Sequence, residues 1–277
     1  MSSFSDFLKN YELAEPTIRG LYDSKLRLAI LDALKEGPMR LADLRRVVNA
    51  NAPNTSTKAK DLENLGIIER VDGDFQLTPY GMAVRQRAQE SFEFYATYQK
   101  FRKFWDGNIT TGIPDFLWAR LGDLNNSVVV ETTSKDVTKV HDSFVELLNS
   151  IHGKFYGVSP IFHEDYLKAA IMLVKKGIET QLIVNKEILQ ECVKVPKTVK
   201  TFDNSPNCKF FVIKGDITTA FTVTDDFLSM GLRSKHIPDS YMHADFQSTD
   251  PRAIKWGLDL FEYYKKQAKL VKLSDYL

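Results

Sequence analysis

The stretch Leu62–Gly81, "LENLGIIERVDGDFQLTPYG", constrains the fold more tightly than any other part of the chain. Gly66 ends a helix, because glycine takes the left-handed conformation after a last helical turn without steric cost. Ile67-Ile68-Glu69-Arg70-Val71 is a β-rich run, Asp72-Gly73 is a two-residue hairpin turn, and Phe75-Gln76-Leu77-Thr78 runs back. A helix therefore feeds directly into a small hairpin, and Thr78-Pro79-Tyr80-Gly81 follows as a new start.

Helical periodicity precedes it. "YDSKLRLAILDALKEGPM" predicts a helix capped by Asp23 or Ser24, with Leu26, Ile30 and Ala33/Leu34 on one face and Gly37-Pro38 as terminator. "RLADLRRVVNA" predicts a second, with Leu41, Leu44 and Val47/Val48 inward. Asn51-Ala52-Pro53 is expected to break the chain, and Asn54 or Thr55 to cap a third helix with Ala59 and Leu62 inward. Ser56, Thr57, Lys60, Lys58 and Asn64 are then expected to point outward. Hydroxyls and amines on such a face suit a DNA major groove, where they reach phosphates and base edges. Asp61 on the same helix is the wrong charge for that surface.

Three helices and a hairpin in this order resemble the winged helix-turn-helix domain. Its Leu-Glu-x-x-Gly-Leu-Ile, wing and Leu-Thr-x-x-Gly pattern matches Leu62–Gly81, with Ile67 in the usual Leu place. The resemblance implies DNA binding, for which Arg40, Thr55, Ser56, Thr57, Lys58, Lys60 and Arg70 are the expected residues. Charge agrees mildly: residues 19–70 hold ten Lys/Arg against seven Asp/Glu, although the whole 277-residue chain is only +1.

"MAVRQRAQESFEFYATYQKFRKFWDGN" contains no helix breaker before Asp106-Gly107. Val84, Ala88, Phe92, Tyr95 and Tyr98/Gln99 form a stripe, followed by Phe101, Phe104 and Trp105. This is expected to be a connecting helix over 81–106 and a dimer contact, since palindromic DNA is commonly read by dimers. The domain reading is thus 1–80 winged helix, 81–106 connector and 107–277 sensor domain.

Beyond the connector, strands and helices alternate. "SVVVET", "KFYGVS", "ETQLIVN", "CKFFVIKG", "TTAFTVTD" and "FLSMGLR" are predicted strands. "KDVTKVHDSFVELLNSI" is an amphipathic helix with Val137, Val140, Phe144 and Leu147/Leu148 on one face. "FHEDYLKAAIMLVKKG" and "KEILQECV" are further helices, and "DPRAIKWGLDLFEYYKKQAKLV" closes the chain as a helix capped by Asp250. The fold class is α/β, with a C-terminal α/β sandwich on a mixed sheet. "PIFHEDYLKAAIMLVKKGIETQLIVNKEI" and "AIKWGLDLFEYYKKQA" resemble the sensor domain of archaeal winged-helix regulators linked to methanogenesis, the Fil-type regulatory domain. That resemblance implies an archaeal transcriptional regulator; the family's Asp-Gly-x-Tyr-Asp segment is replaced here by "KHIPDSYMHADFQ".

The sensor domain also resembles phospholipase D-like folds, whose chemistry uses His-x-Lys-x4-Asp, commonly twice. His152-Gly153-Lys154 matches its start, but Ser159 stands where the Asp is needed and no second copy exists, so no catalytic residue and no enzyme activity is expected. His152 suits a helix end. His163-Glu164-Asp165 are adjacent and should diverge on a helix, leaving His163, His243 and Asp245 to meet only through the fold; no metal and no cofactor is expected. His141 and His236 have no partner in the sequence and are expected to be solvated. Cys192 and Cys208 are either a redox pair, activated by Lys194 and Lys209, or ordinary packed thiols, and two cysteines suit a reducing cytoplasm. Arg120, Phe162, His163, Tyr166, Tyr241 and His243 are the expected small-molecule site, because crevices beyond strand C-termini bind ligands in α/β sheets. The function read from these features is a cytoplasmic homodimer that binds double-stranded DNA and answers a small-molecule effector, with no membrane partner. The alternative is a non-catalytic protein-interaction module that docks through the winged helix.

Overall fold

The computed structural model describes residues 4–133, 136, 138–237, 240–241 and 243–277. Val137, expected on a helix face, lies outside the described residues. The chain divides into two compact units, Met1–Ser91 and Phe92–Leu277.

The first unit contains α1 (Phe4–Tyr22), α2 (Lys25–Ala33), α3 (Leu41–Val47) and α4 (Ala52–Asn64), then β1 (Ile68–Val71) and β2 (Asp74–Leu77), and the first half of α5 (Pro79–Lys100). Ser24 caps α2 by accepting from the Arg27 N–H at 3.3 Å. Leu21, Ile30, Leu31, Leu44, Ala59, Leu62, Ile67 and Phe75 form the core. Gly66, at φ 69°, ends α4: the Gly66 N–H donates to Glu63 O and the Ile67 N–H to Leu62 O, so both orphan carbonyls are used. The hairpin turn has positive φ at both Asp72 and Gly73, the conformation a two-residue connection needs to follow the strand twist. Met39 exchanges two 2.9 Å backbone hydrogen bonds with Phe75, adding a third short segment to the hairpin.

Thr78 and Gly81 then lock the hairpin to α5. The Thr78 hydroxyl donates to Gly66 O at 2.7 Å and accepts from the Gly81 N–H at 2.9 Å. A Cβ at Gly81 would stand 1.9 Å from the Ile67 carbonyl oxygen, so only glycine permits this approach.

Two boundaries in this part of the chain differ from the sequence reading. α4 starts at Ala52, capped by Asn51 rather than by Asn54 or Thr55, and Pro53 sits in its first turn. Proline lacks only an N–H that has no helical partner there, so it opens the helix instead of breaking the chain. The expected single connector is two helices, α5 and α6 (Arg102–Gly107), interrupted at Phe101 with φ −110° and ψ 20°.

The second unit is an eight-stranded mixed sheet with helices on both faces. Its remaining elements are α7 (Asp115–Trp118), β3 (Val128–Glu131), α8 (Lys139–Asn149), β4 (Lys154–Ser159), α9 (Glu164–Lys175), β5 (Glu179–Val184), α10 (Lys186–Val193), α11 (Pro196–Asp203), β6 (Cys208–Ile213), β7 (Thr219–Thr224), β8 (Leu228–Leu232), β9 (Ala244–Ser248), α12 (Pro251–Lys265) and β10 (Ala268–Val271). The strand order is β10-β6-β5-β4-β7-β8-β9-β3, with β4, β5 and β6 parallel and the other pairings antiparallel.

Alternation along the strands separates two cores. On β6, Phe210 and Val212 face α8–α11, whereas Phe211 and Ile213 face the layer containing α12. Phe101, Phe104 and Trp105 belong to that second layer, with ring centroids 4.8, 5.5 and 5.3 Å from Phe246. Asp250 caps α12 with Pro251 in the first turn, as its sequence predicts. The last helix ends at Lys265, however, and Ala268–Val271 returns to the sheet edge beside β6. No helix among the described residues is long and apolar enough to cross a membrane.

Candidate nucleic-acid interface and ligand cavity

On α4, burial follows the helical period. Thr55, Ala59 and Leu62 are buried, while Ser56, Thr57 and Lys60 are exposed. Thr57 donates its hydroxyl proton to Pro53 O at 2.9 Å, leaving its oxygen lone pairs and methyl outward. Thr55 corrects an expectation: it is fully buried and donates to Asn51 O at 2.8 Å, because the earlier helix start turns it inward. Lys58 is half-buried and its ammonium lies 3.3 Å from Asp61, so it too is not the free outward cation expected.

The acidic charge of Asp61 is tolerable on this helix because it is paired. Its Oδ2 accepts from Arg27 Nη1 at 3.0 Å and from Lys58 Nζ at 3.3 Å. The carboxylate is thus turned toward α2 and neutralised, leaving Lys60 as an exposed cation of the same helix. Arg70 is exposed on the hairpin, its guanidinium 4.4 Å from the Phe75 ring centre, and Arg40 is largely exposed beside Asp74 at 3.5 Å. Arg45, on α3, is a further exposed cation that the reading passed over. The buried face of this helix was read correctly at Leu41, Leu44 and Val48, whereas Val47 is exposed.

The second unit holds a cavity between the sheet and α8–α11, with about 140 Å³ open to the centre of a water-sized sphere. Its floor is made by small residues: Gly157 on β4 pairs with Thr222 on β7, and Ala220 on β7 pairs with Gly231 on β8. Phe144, Leu148, Phe155, Leu167 and Phe210 supply apolar walls. The loop after β4 closes one side at the C-terminal end of the parallel strands, which is where the α/β rule places ligands.

Of the expected ligand residues, Phe162, His163, Tyr166 and Tyr241 line this cavity. Arg120 does not. It is tied to Asp123 at 2.8 Å and to Asp259 of α12 at 2.6 Å. His243 does not line it either; it is half-buried beside β3, where its carbonyl accepts from Thr132, and burial lowers its basicity. Asp245, weighed in the sequence only as a partner of His163 and His243 in a metal set, is a further polar group of this cavity. It is buried at the cavity wall, accepts from Ser229 Oγ at 2.8 Å and Gln247 Nε2 at 2.7 Å, and is pushed up to a pKa of about 6 by burial.

His141 is not solvated as expected. Its Nδ1 is 3.1 Å from the Tyr166 hydroxyl, and its ring centre is 4.8 Å from that of His163. His163 and Asp165 do not diverge, because His163 is the extended cap of α9 rather than a helical residue. His163 Nδ1 and Asp165 Oδ2 are 3.9 Å apart. His141, His163 and Asp165 are, among the described residues, the group with metal-ligand spacing; His163, His243 and Asp245 are not.

His152 is exposed, the Lys154 ammonium lies 2.6 Å from Asp225, and the Ser159 hydroxyl donates to Ile161 O. Cys192 and Cys208 are free, and burial pushes both thiols up to about 12, against the activation by lysine considered from the sequence.

Two sequence profiles match the chain: methanogenesis regulatory protein FilR1, N-terminal domain, over residues 15–90, and the middle domain of the same protein over residues 137–267. The methanogenesis regulatory protein FilR1 of Methanothrix harundinacea (strain 6Ac) is 26% identical over 261 residues, covering 91% of this chain and 57% of that protein. The chain therefore spans little more than half the length of that relative. Among solved structures, TrmBL2, described as an archaeal chromatin protein with a novel mode of DNA binding, is 14% identical, with a TM-score of 0.44 over 92% of this chain and 97% of its own. NucT from Helicobacter pylori is 15% identical, with a TM-score of 0.41 over 52% of this chain and 98% of its own.

Proposed function

Since the chain belongs to the methanogenesis regulatory protein FilR1 family through its N-terminal and middle domains, we propose that it is an archaeal DNA-binding transcriptional regulator whose second unit answers a small-molecule effector. The observation that carries the DNA reading is α4. Its inward side is Thr55, Ala59 and Leu62, with the Thr55 hydroxyl satisfied by Asn51 O; Asp61 is neutralised by Arg27 and Lys58, and Ser56, Thr57 and Lys60 are exposed. Hydroxyls and an ammonium on such a face serve phosphate and base-edge contacts, and Arg70 on the hairpin adds a second phosphate contact.

The cavity supports the effector. It is mainly apolar, carries a few polar groups, and is bordered by the cap or first turn of α8, α9 and α10. An effector that fits one arrangement of α8 and α9 better than another changes their populations by that difference in affinity. The paired Lys154 and the bonded Ser159 support a non-catalytic role for this unit.

DNA reading by a homodimer is the working form, with apolar surface available on α1 at Phe7 and Leu13 and on α5 at Phe92 and Tyr95. The test is equilibrium binding of the full chain to duplexes selected from a random pool, over a series of salt concentrations. Saturable, salt-sensitive duplex binding supports the proposal. Absence of binding at low salt returns the winged helix to the role of a protein-docking module.

A further inference from the structure

We infer that His141, His163 and Asp165 form a binding site for one zinc-class divalent transition metal at the rim of the cavity. His141 comes from α8, His163 caps α9, and Asp165 is in the first turn of α9. Asp165 Oδ2 is 4.0 Å from His141 Nε2 and 3.9 Å from His163 Nδ1, and the ligand atoms of the three residues all lie within 4.8 Å of one another. Tetrahedral ligation at about 2.0–2.1 Å sets ligand atoms roughly 3.3–3.5 Å apart, so closure needs side-chain movements of up to about 0.7 Å each.

The Tyr166 hydroxyl stands 3.1 Å from His141 Nδ1; in the tautomer in which Nδ1–H donates to that hydroxyl, Nε2 is bare toward Asp165. That is how a metal-binding imidazole is held: one nitrogen bonded to a neighbour, the other free to ligate. His163 Nδ1 accepts from the Asp165 N–H at 3.3 Å, so this nitrogen is unprotonated, and ligation through it exchanges that long cap bond for the metal. Asp165 divides its two oxygens: Oδ1 faces Lys168 at 3.2 Å and Oδ2 faces both imidazoles.

Two imidazoles and a carboxylate suit zinc, cobalt or nickel and leave a fourth position open. His163 and Tyr166 both line the cavity, so the site borders the space where the effector is proposed to bind. The metal site stands on its own geometry and does not require the effector reading.

The experiment is calorimetric titration of the chelator-stripped full chain with zinc, repeated with cobalt while its visible ligand-field absorption is followed. One equivalent of each metal is expected, with a tetrahedral-type cobalt spectrum. His141→Ala and His163→Asn are each expected to weaken binding at least tenfold, while His152→Ala, at an exposed histidine, leaves it unchanged. Asparagine at 163 retains a cap acceptor for α9, so its loss of metal cannot be put down to loss of the helix start. The inference is overturned if the unaltered chain shows no saturable one-equivalent binding, or if His163→Asn binds as tightly as the unaltered chain.

Discussion

Arg27 of α2 and Asp61 of α4 are joined by a 3.0 Å ion pair in which the arginine side chain is only 14% exposed. The pair fixes two helices to each other and removes an acid from the exposed face of α4. Asp61→Ala strands a mostly buried guanidinium, whose Nε already has no hydrogen-bond partner. Unfolding of the first unit in denaturant is expected to weaken by about 1–2 kcal/mol, the discount from a fully buried pair reflecting the partly exposed carboxylate. Unchanged stability would show that the pair contributes nothing to packing.

Gly81 carries a sharper steric constraint. Alanine there places a Cβ against the Ile67 carbonyl, a backbone atom that cannot move aside cheaply. Gly81→Ala is expected to cost about 2–4 kcal/mol, seen as a lower midpoint in thermal or denaturant unfolding. A neutral result would mean that the hairpin and α5 do not meet as described.

Asp245 gives the second unit a pH signature. Burial pushes its pKa up to about 6, whereas an unfolded aspartate titrates near 4. Between those values the folded state holds more protons than the unfolded one, so this residue's contribution to stability falls as pH rises from about 4 to about 6, then levels. Relative to Asp245→Asn, the unaltered protein is expected to lose about 2–3 kcal/mol between pH 4 and pH 7. Parallel stability curves for the two proteins would refute the assignment.

Tyr95 and Leu13 are 65% and 82% exposed, and each sits on a helix with a second exposed apolar residue. If either face joins two copies, Tyr95→Asp or Leu13→Asp places a charge in the contact and yields a monomer. Sedimentation velocity at several concentrations reads this directly. A monomeric unaltered chain at all concentrations contradicts the dimer.

Much of the first unit was legible because local chemistry fixes it. Gly66, Asp72-Gly73 and Gly81 each satisfy a backbone requirement that few residues meet. Pro53 was misread because a proline marks both a break and a first turn, and only the Asn51 cap decides between them. Thr55, Lys58 and Asp61 turned on that three-to-four-residue shift and on Arg27, 34 positions earlier in the chain. In the second unit the strands of the parallel core announced themselves by β-branched and aromatic runs. β9, rich in polar residues, and β10, continuous with a helical pattern, did not. Phe162, His163 and Tyr166 were placed by the strand-to-helix rule, whereas Asp245 and the approach of His141 to His163 depend on pairings made only in the fold.

The central claim is that the exposed face of α4 reads DNA. The most direct test is duplex affinity of the full chain across a salt series, compared with Lys60→Ala and Arg70→Ala. Binding is expected to weaken steeply with salt, and each variant is expected to bind less tightly and to shallow the logarithmic salt slope by about one, as loss of one phosphate contact does. Duplex affinity and salt slope that are unchanged in both variants would contradict it.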